Sequence, residues 1–221
     1  MDLYELKKKT VKESLKIEDS FGSILSFIDF ANVNYWFEED QYDEENNALA
    51  EDEKLVIDIS KLKDFTNLFS IDTRFYYGHD PANPKSLGFL IATRKIYGKS
   101  RVFTKPLQKV KHYLTDRETV LNTRTLQHDA GGNFIKIPKC NFDVEICVDS
   151  IKLVDKYDTF CLFSSDADFV HLARFLKSKD KKIILVKGGY IHHSLHEMAD
   201  LIINAQDIKS HITVKKQKPA V

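Results

Sequence analysis

Apolar residues along this chain follow two alternating rhythms. Ile24-Leu25-Ser26-Phe27-Ile28 is a short, partly β-branched run that stops at Asp29, as a strand buried on both faces does. Comparable runs at Thr73 to Tyr77, Arg101 to Lys105, Thr159 to Phe163 and Lys182 to Val186 predict four more strands. Between them, apolar positions recur every three or four residues. That spacing predicts helices at Leu55 to Phe69, Leu87 to Tyr97 (closed by Gly98), about Phe142 to Lys156, Phe169 to Lys179, and around Ser194 to Asp207. Strands alternating with helices predict an α/β three-layer sandwich with a central, mostly parallel sheet. Residues 106–138 break the rhythm, and Gly131-Gly132 stands between LQHDA and NFIKI as the turn of a β-hairpin insertion.

The 221 residues fit one domain, with 43% hydrophobic and 30% charged residues in an ordinary soluble balance. No stretch of eighteen apolar residues is available to span a bilayer, so no membrane partner is expected. The N-terminus lacks the uninterrupted apolar core of a secretory signal, which predicts a cytoplasmic protein. Cys140, Cys147 and Cys161 show no CxxC spacing and read as reduced packing residues. Net charge is zero, but its distribution is uneven: nine acids crowd Glu38 to Glu53, while Lys7, Lys8, Lys9, Lys12 and Lys16 mark one end and Lys215, Lys216 and Lys218 the other. The organisation expected is a basic extension (1–20), a catalytic-type domain (21–210) interrupted by the acidic loop (38–53) and the insertion (106–138), and a basic tail (211–221). With little apolar surface to offset its ordering entropy, the acidic loop is expected to be disordered. The basic ends fit either phosphate contacts or solubilising tails.

In a parallel sheet, ligands bind beyond the carboxyl ends of the strands. Asp29 follows the first strand, and Ser164-Ser165-Asp166-Ala167-Asp168 follows the strand at Thr159 to Phe163. Carboxylates converging there repel one another unless a hard divalent cation neutralises them. Each also suits a helix N-cap, and Asp168 can serve both purposes. On the helix near Phe142, Val144, Cys147, Val148, Ile151 and Val154 form one stripe, predicted to be buried, opposite Glu145, Asp149 and Lys152. Asp143 falls at the stripe's edge in the first turn, where the helix dipole favours a carboxylate. Asp149 reads from this geometry as a solvated acid.

Four strings resemble the NYN domain, a branch of the PIN-like nucleases that includes the LabA-like proteins. FIDFANVNY (Phe27 to Tyr35) resembles its D-x-x-N opening, and Lys139 with NFDVEICVDSI (Asn141 to Ile151) resembles its K-x-x-x-D-V-x-x-x-x-x-D stretch. FSSDADF (Phe163 to Phe169) is similar to S-G-D-S-D-F, and HSLHEMADLII (His193 to Ile203) to the S-x-x-L-x-x-x-A-D segment. The order matches the family, although Ser165 replaces a usual Gly and Ala167 a usual Ser. The resemblance implies a PIN-like, Rossmannoid fold and a nuclease that cuts RNA with Mg²⁺ or Mn²⁺. It assigns Asp29, Asp143, Asp166 and Asp168 to catalysis and metal binding, adds Asp149 to the metal set, and gives Asn32 a ligand-orienting or phosphate-binding role. Asp200 matches the family but lies inside the predicted last helix, where a structural hydrogen bond is the expected role.

Substrate-facing candidates surround these acids. Asn34 and Tyr35 follow Asp29 closely and can meet an unstacked base, whereas Trp36 is expected to pack against its neighbours. Tyr76, Tyr77 and His79 end the second strand, and Lys105, Lys109, Lys111, Lys139 and Lys187-Gly188-Gly189 suit phosphates or a solvated rim. His192, His193 and His196 are expected to yield one capping contact. Motifs of P-loop NTPases, zinc peptidases and serine hydrolases do not occur. The expected function is a metal-dependent endoribonuclease acting on single-stranded or structured RNA. A non-catalytic NYN-fold RNA-binding or regulatory module is the alternative, and a phosphatase or DNA nuclease using the same metal chemistry a third reading; a homodimer is left open.

Overall fold

A computed structural model describes residues 2–115 and 126–218; the middle of the predicted insertion and the last residues of the basic tail fall outside that description. In chain order the elements are α1 (Leu3–Ser14), β1 (Ile24–Asp29), α2 (Phe30–Val33), β2 (Glu53–Ile57), α3 (Ile59–Asn67) and β3 (Asp72–His79). Then come α4 (Pro84–Tyr97), β4 (Val102–Pro106), β5 (Gln108–Tyr113), β6 (Gln127–Asp129), β7 (Gly132–Lys139) and α5 (Asp143–Lys152). The chain continues through β8 (Thr159–Phe163), α6 (Val170–Lys177), β9 (Lys182–Lys187), α7 (His193–His196), β10 (Leu201–Asn204), α8 (Lys209–Ile212) and β11 (Thr213–Gln217).

Six strands form one sheet in the order β10-β9-β8-β1-β3-β4, and every pairing in it is parallel. Side chains alternate across this sheet because the strand period is two. Ile24, Ile28, Phe75 and Phe163 pack on one side with Leu62, Phe65 and Leu90 of α3 and α4. Leu25, Phe27, Phe160 and Leu162 pack on the other with Ile146, Leu172 and Leu176 of α5 and α6. The result is the three-layer α/β sandwich the sequence predicts, with the sheet wholly parallel. From β1 the chain proceeds outward through β3 and β4, then returns to β8 on the opposite flank and proceeds through β9 and β10. Strand order therefore reverses beside β1, and such a reversal opens a crevice at the carboxyl ends of the two strands that meet there.

Three predicted elements differ. Leu55 to Phe69 is not one helix: Glu53–Ile57 pairs antiparallel with Thr213–Gln217, and the helix begins only at Ile59, capped by Asp58, whose carboxylate accepts from the N–H groups of Ser60 and Lys61 at 2.9 Å. Leu55 and Ile57 are buried with Val56 less so, a period of two concealed within the helical spacing. The last predicted helix is a single turn, after which Leu201-Ile202-Ile203 extends the sheet beside β9. Asp200 accordingly sits at the head of a strand, where its carboxylate accepts from Ile183 N–H (2.7 Å) and Lys177 (2.6 Å). This is the structural role expected of it. The face of α5 is also reversed: Ile146 and Ser150 are buried while Val144 is 72% exposed, because Glu145 turns inward to Lys105 and Asp149 to Arg74.

The acidic loop is structured in its middle rather than disordered. Asp43 accepts from Asn47 and Glu45 N–H and pairs with Lys215 of the basic tail, and Asp40 pairs with Lys209 just before it, so the start of the tail is bound to the loop. The insertion forms a three-stranded antiparallel sheet, β5-β7-β6, turning at Gly131-Gly132 as predicted. Among the described residues no helix is long and apolar enough to cross a membrane.

Candidate metal centre

Asp29 is the last residue of β1 and is carried by a strand buried along its whole length. The backbone N–H groups of Ala31 and Asn32 face its carboxylate and draw its pKa down without forming a helix cap, and the Ser164 hydroxyl approaches it at 3.5 Å. Burial, then the charge of Asp143 and to a smaller degree that of Asp166, pushes its pKa up to about 6 against the pull of those N–H groups.

The loop after β8 supplies two more acids. Ser164 is fully buried and its hydroxyl accepts from Asp166 N–H at 3.2 Å, and Asp166 then caps the following turn by accepting from Asp168 N–H at 3.0 Å. Ser165 donates to the Gly188 carbonyl at 3.0 Å. Gly188 packs bare against the indole of Trp36: a Cβ there would lie 2.4 Å from its Cδ1. Asp143 opens α5, its N–H donating to Asn141 Oδ1 at 2.7 Å. Burial raises its pKa, the charges of Asp166 and Asp168 raise it further, and Asn141 and Lys105 oppose the shift.

Asp143, Asp166 and Asp168 each offer a carboxylate oxygen, and the three oxygens lie within 4.8 Å of one another. Asp29 is not one of that trio but feels two of its charges. Among the described residues none of the four acids takes part in an ion pair. Clustered oxygens with uncompensated charge suit a hard divalent cation, since oxygen is the ligand such ions prefer and their charge removes the repulsion. The donor set fits Mg²⁺ or Mn²⁺ and offers no sulfur or imidazole for a softer metal.

The remaining candidates scatter. Asp149 accepts from Tyr76 Oη at 2.8 Å and from Arg74 at 3.1 Å, and the structure does not bring it into the trio. Asn32 accepts from Trp36 Nε1 at 3.1 Å, and Trp36 stacks on Phe163 with centroids 6.3 Å apart, the packing role expected of it. Asn34, Tyr35, Tyr77 and Lys139 line a cleft of about 630 Å³ beside the acids. Lys105 is engaged with Glu145 at 2.6 Å, Lys109 with Asp80 and Lys111 with Asp129. Tyr76 is fully buried rather than on the rim, because its ring stacks on Phe103 and Phe27 beneath Phe142. His79 contacts Thr104, and His192 accepts from Ser194 N–H to cap α7. Sequence reasoning gave no role to Ser164, though it stands in the same string as Asp166, or to Arg74, and placed Tyr76 on the rim; the link of Arg74 and Tyr76 to Asp149 spans more than seventy positions.

The NYN domain model matches residues 24–206 of the chain. A solved structure of a protein of unknown function from Vibrio parahaemolyticus superposes with a TM-score of 0.56 at 18% identity, covering 89% of this chain and 99% of that one. At that identity the likeness supports the three-layer α/β fold alone. No curated protein matches the chain.

Proposed function

The chain belongs to the NYN domain family, and from that premise we propose that it is a metal-dependent ribonuclease that hydrolyses RNA phosphodiester bonds at its acidic crevice. The observation that carries the reading is the convergence of carboxylate oxygens of Asp143, Asp166 and Asp168 to within 4.8 Å, beside buried Asp29, with no ion pair to any of them among the described residues.

The trio would hold Mg²⁺ or Mn²⁺, with Asp29 as a further ligand or a neighbouring base. A divalent ion there supplies acidification of a bound water and neutralisation of charge on the phosphate. The protein's own groups do the positioning. Ser164 links the two loops by contacting Asp29 on one side and Asp166 N–H on the other, so both carboxylates keep a fixed separation. Asn141 holds the first turn of α5 so that Asp143 faces the crevice. No side-chain nucleophile is needed, and none of the three cysteines is suited to be one: burial raises the pKa of each.

Cleavage of end-labelled RNA should require added Mn²⁺ or Mg²⁺. Asp166→Asn and Asp29→Asn should each lower the rate by at least about a hundredfold, more than the loss typical of groups that merely support a metal's ligands. Undiminished cutting by both purified variants would remove the reading. A second reading, an RNA-binding module without catalysis, is motivated by the zero net charge of the chain. It would be supported by RNA bound but uncut at saturating Mn²⁺.

A further inference from the structure

The cleft beside the acids is built in part by the insertion. Its floor is aromatic: Phe30 stacks on Phe89 with centroids 5.0 Å apart, and Tyr77 lies 4.8 Å from the same ring. Leu107 and Cys140, at the two junctions of the insertion, close the far side. They are pressed against β3 at Gly78, where a Cβ would come within 2.5 Å of Cys140 Cβ and 2.9 Å of Leu107 Cδ2. The wall is therefore fixed to the central sheet. It also adjoins the metal centre, because Ala31 and Asn141 in its lining stand two residues from Asp29 and Asp143 respectively.

Charge and hydrogen-bonding capacity are sorted around this space. Lys105, Lys109 and Lys111 are each matched with a carboxylate, whereas Lys85 and Lys139 on the cleft have no ion pair among the described residues. Tyr35 is 60% exposed at the rim, and the side-chain amide of Asn34 has no partner among the described residues. An apolar aromatic interior, an uncommitted amide, two spare cations and an adjacent cluster of acids match the parts of a nucleotide in turn: base face, base edge, backbone phosphate and the phosphate at the metal. A volume of about 630 Å³ also lies within the usual range of small-ligand pockets.

We propose that this cleft seats one unstacked base of single-stranded RNA next to the phosphate at the acidic trio, with Tyr35 stacking on it and Lys85 and Lys139 holding the flanking backbone. The proposal rests on the ribonuclease reading for its orientation. Bases inside a duplex are already stacked and their edges paired, so the cleft selects single strands. The insertion thereby sets which RNA reaches the acids.

The test uses the full chain in EDTA, where no cleavage occurs, and fluorescence anisotropy with a short end-labelled single strand and with the same strand in a duplex. Tyr35→Ala, at an exposed position, should weaken single-strand binding about tenfold, the loss typical of one stacking contact, and leave duplex binding unchanged. Leu107→Trp, which fills the cleft, should do the same while circular dichroism reports an intact fold; if that variant does not fold, Lys139→Ala replaces it, with a comparable loss. Equal binding by wild type and Tyr35→Ala, equal losses on duplex, or no single-strand binding by wild type would overturn the proposal. Outcomes for the two readings separate: RNA seated through Tyr35 but never cut at saturating Mn²⁺ supports the cleft and overturns the nuclease. Cleavage with unchanged KM in Tyr35→Ala does the reverse.

Discussion

Two groups of carboxylates in this molecule meet opposite fates. In the loop between α2 and β2, Asp43 is only 2% exposed, yet its carboxyl is held well below the usual range, chiefly by Lys215 and then by the N–H groups of Asn47 and Glu45. Asp40 nearby takes Lys209 at 2.7 Å and the side-chain amide of Gln206. At the crevice, Asp29 rises to about 6, because burial first, and then the charges of Asp143 and Asp166, outweigh the Ala31 and Asn32 N–H groups, with no lysine beside it to reverse the shift. Residue type and local acid density are alike in the two places; the partner differs. Folding pairs the loop's acids with Lys209 and Lys215 but gives the crevice acids no ion pair among the described residues, the nearby Lys105 being bound to Glu145, so one cluster is closed electrostatically and the other is left seeking a cation.

The sharpest way to break that contrast is to remove charge from the crevice in metal-free protein. Asp29→Asn keeps an oxygen for the Ala31 and Asn32 N–H groups while deleting the buried negative charge. For a carboxyl moved from 3.8 to about 6, the charge costs about 3 kcal/mol of folding stability above neutral pH. Denaturant titration in EDTA should therefore find the variant more stable than wild type, and with saturating Mn²⁺ the order should invert, since the wild type alone keeps all four acids. A variant less stable than wild type in EDTA would mean that Asp29 is compensated by something other than a cation.

Much of this was legible in the chain. The strand runs before Asp29 and Ser164 are short and apolar throughout, the pattern of strands buried on both faces, and a parallel sheet then puts the residues that follow in one crevice. Asp143 was legible from its place in a first turn. What could not be read were choices made by partners distant in sequence. Val56 becomes a strand residue because Val214 pairs with it, a long-range event that local spacing does not record. The outward face of α5 was misjudged for the same reason: Val144 and Val148 are the more apolar, but Arg74 and Lys105 on the sheet draw Asp149 and Glu145 inward. The acidic loop looked disordered because Lys209 and Lys215 lie more than 160 residues away.

Proton binding offers a smaller handle on the same contrast. A carboxyl raised in the folded state stabilises the fold below its unfolded pKa of 3.8, and that stabilisation is lost as pH rises through about 6. Asp43 is lowered, so its contribution is present above the unfolded value and disappears only in acid. Of the two clusters only the crevice titrates between about pH 5 and pH 7.5, while His211, lowered by burial, contributes alike to wild type and Asp29→Asn. Across that window metal-free wild type should thus lose about 1 kcal/mol relative to Asp29→Asn. A stability that instead rises with pH in EDTA, identically in both proteins, would detach the crevice from the effect.

The smallest effect expected comes from the closed cluster. Lys215 is 41% exposed in its side chain, so solvent screens part of its attraction to the buried Asp43 carboxylate. Lys215→Ala should lower Tm only modestly, because Glu45 and Asn47 N–H still serve Asp43. Its clearer signature is local, with faster amide exchange at those two N–H groups. Salt distinguishes the clusters further. Added NaCl screens attraction in the loop and should narrow the gap between wild type and Lys215→Ala, whereas in the crevice it screens repulsion and should stabilise metal-free wild type more than Asp29→Asn. Opposite signs in one titration follow only if the two clusters differ as described. A common sign would mean that the tail's lysines and the crevice's acids respond to one shared field, and the division between a structural and an ion-seeking cluster would fail.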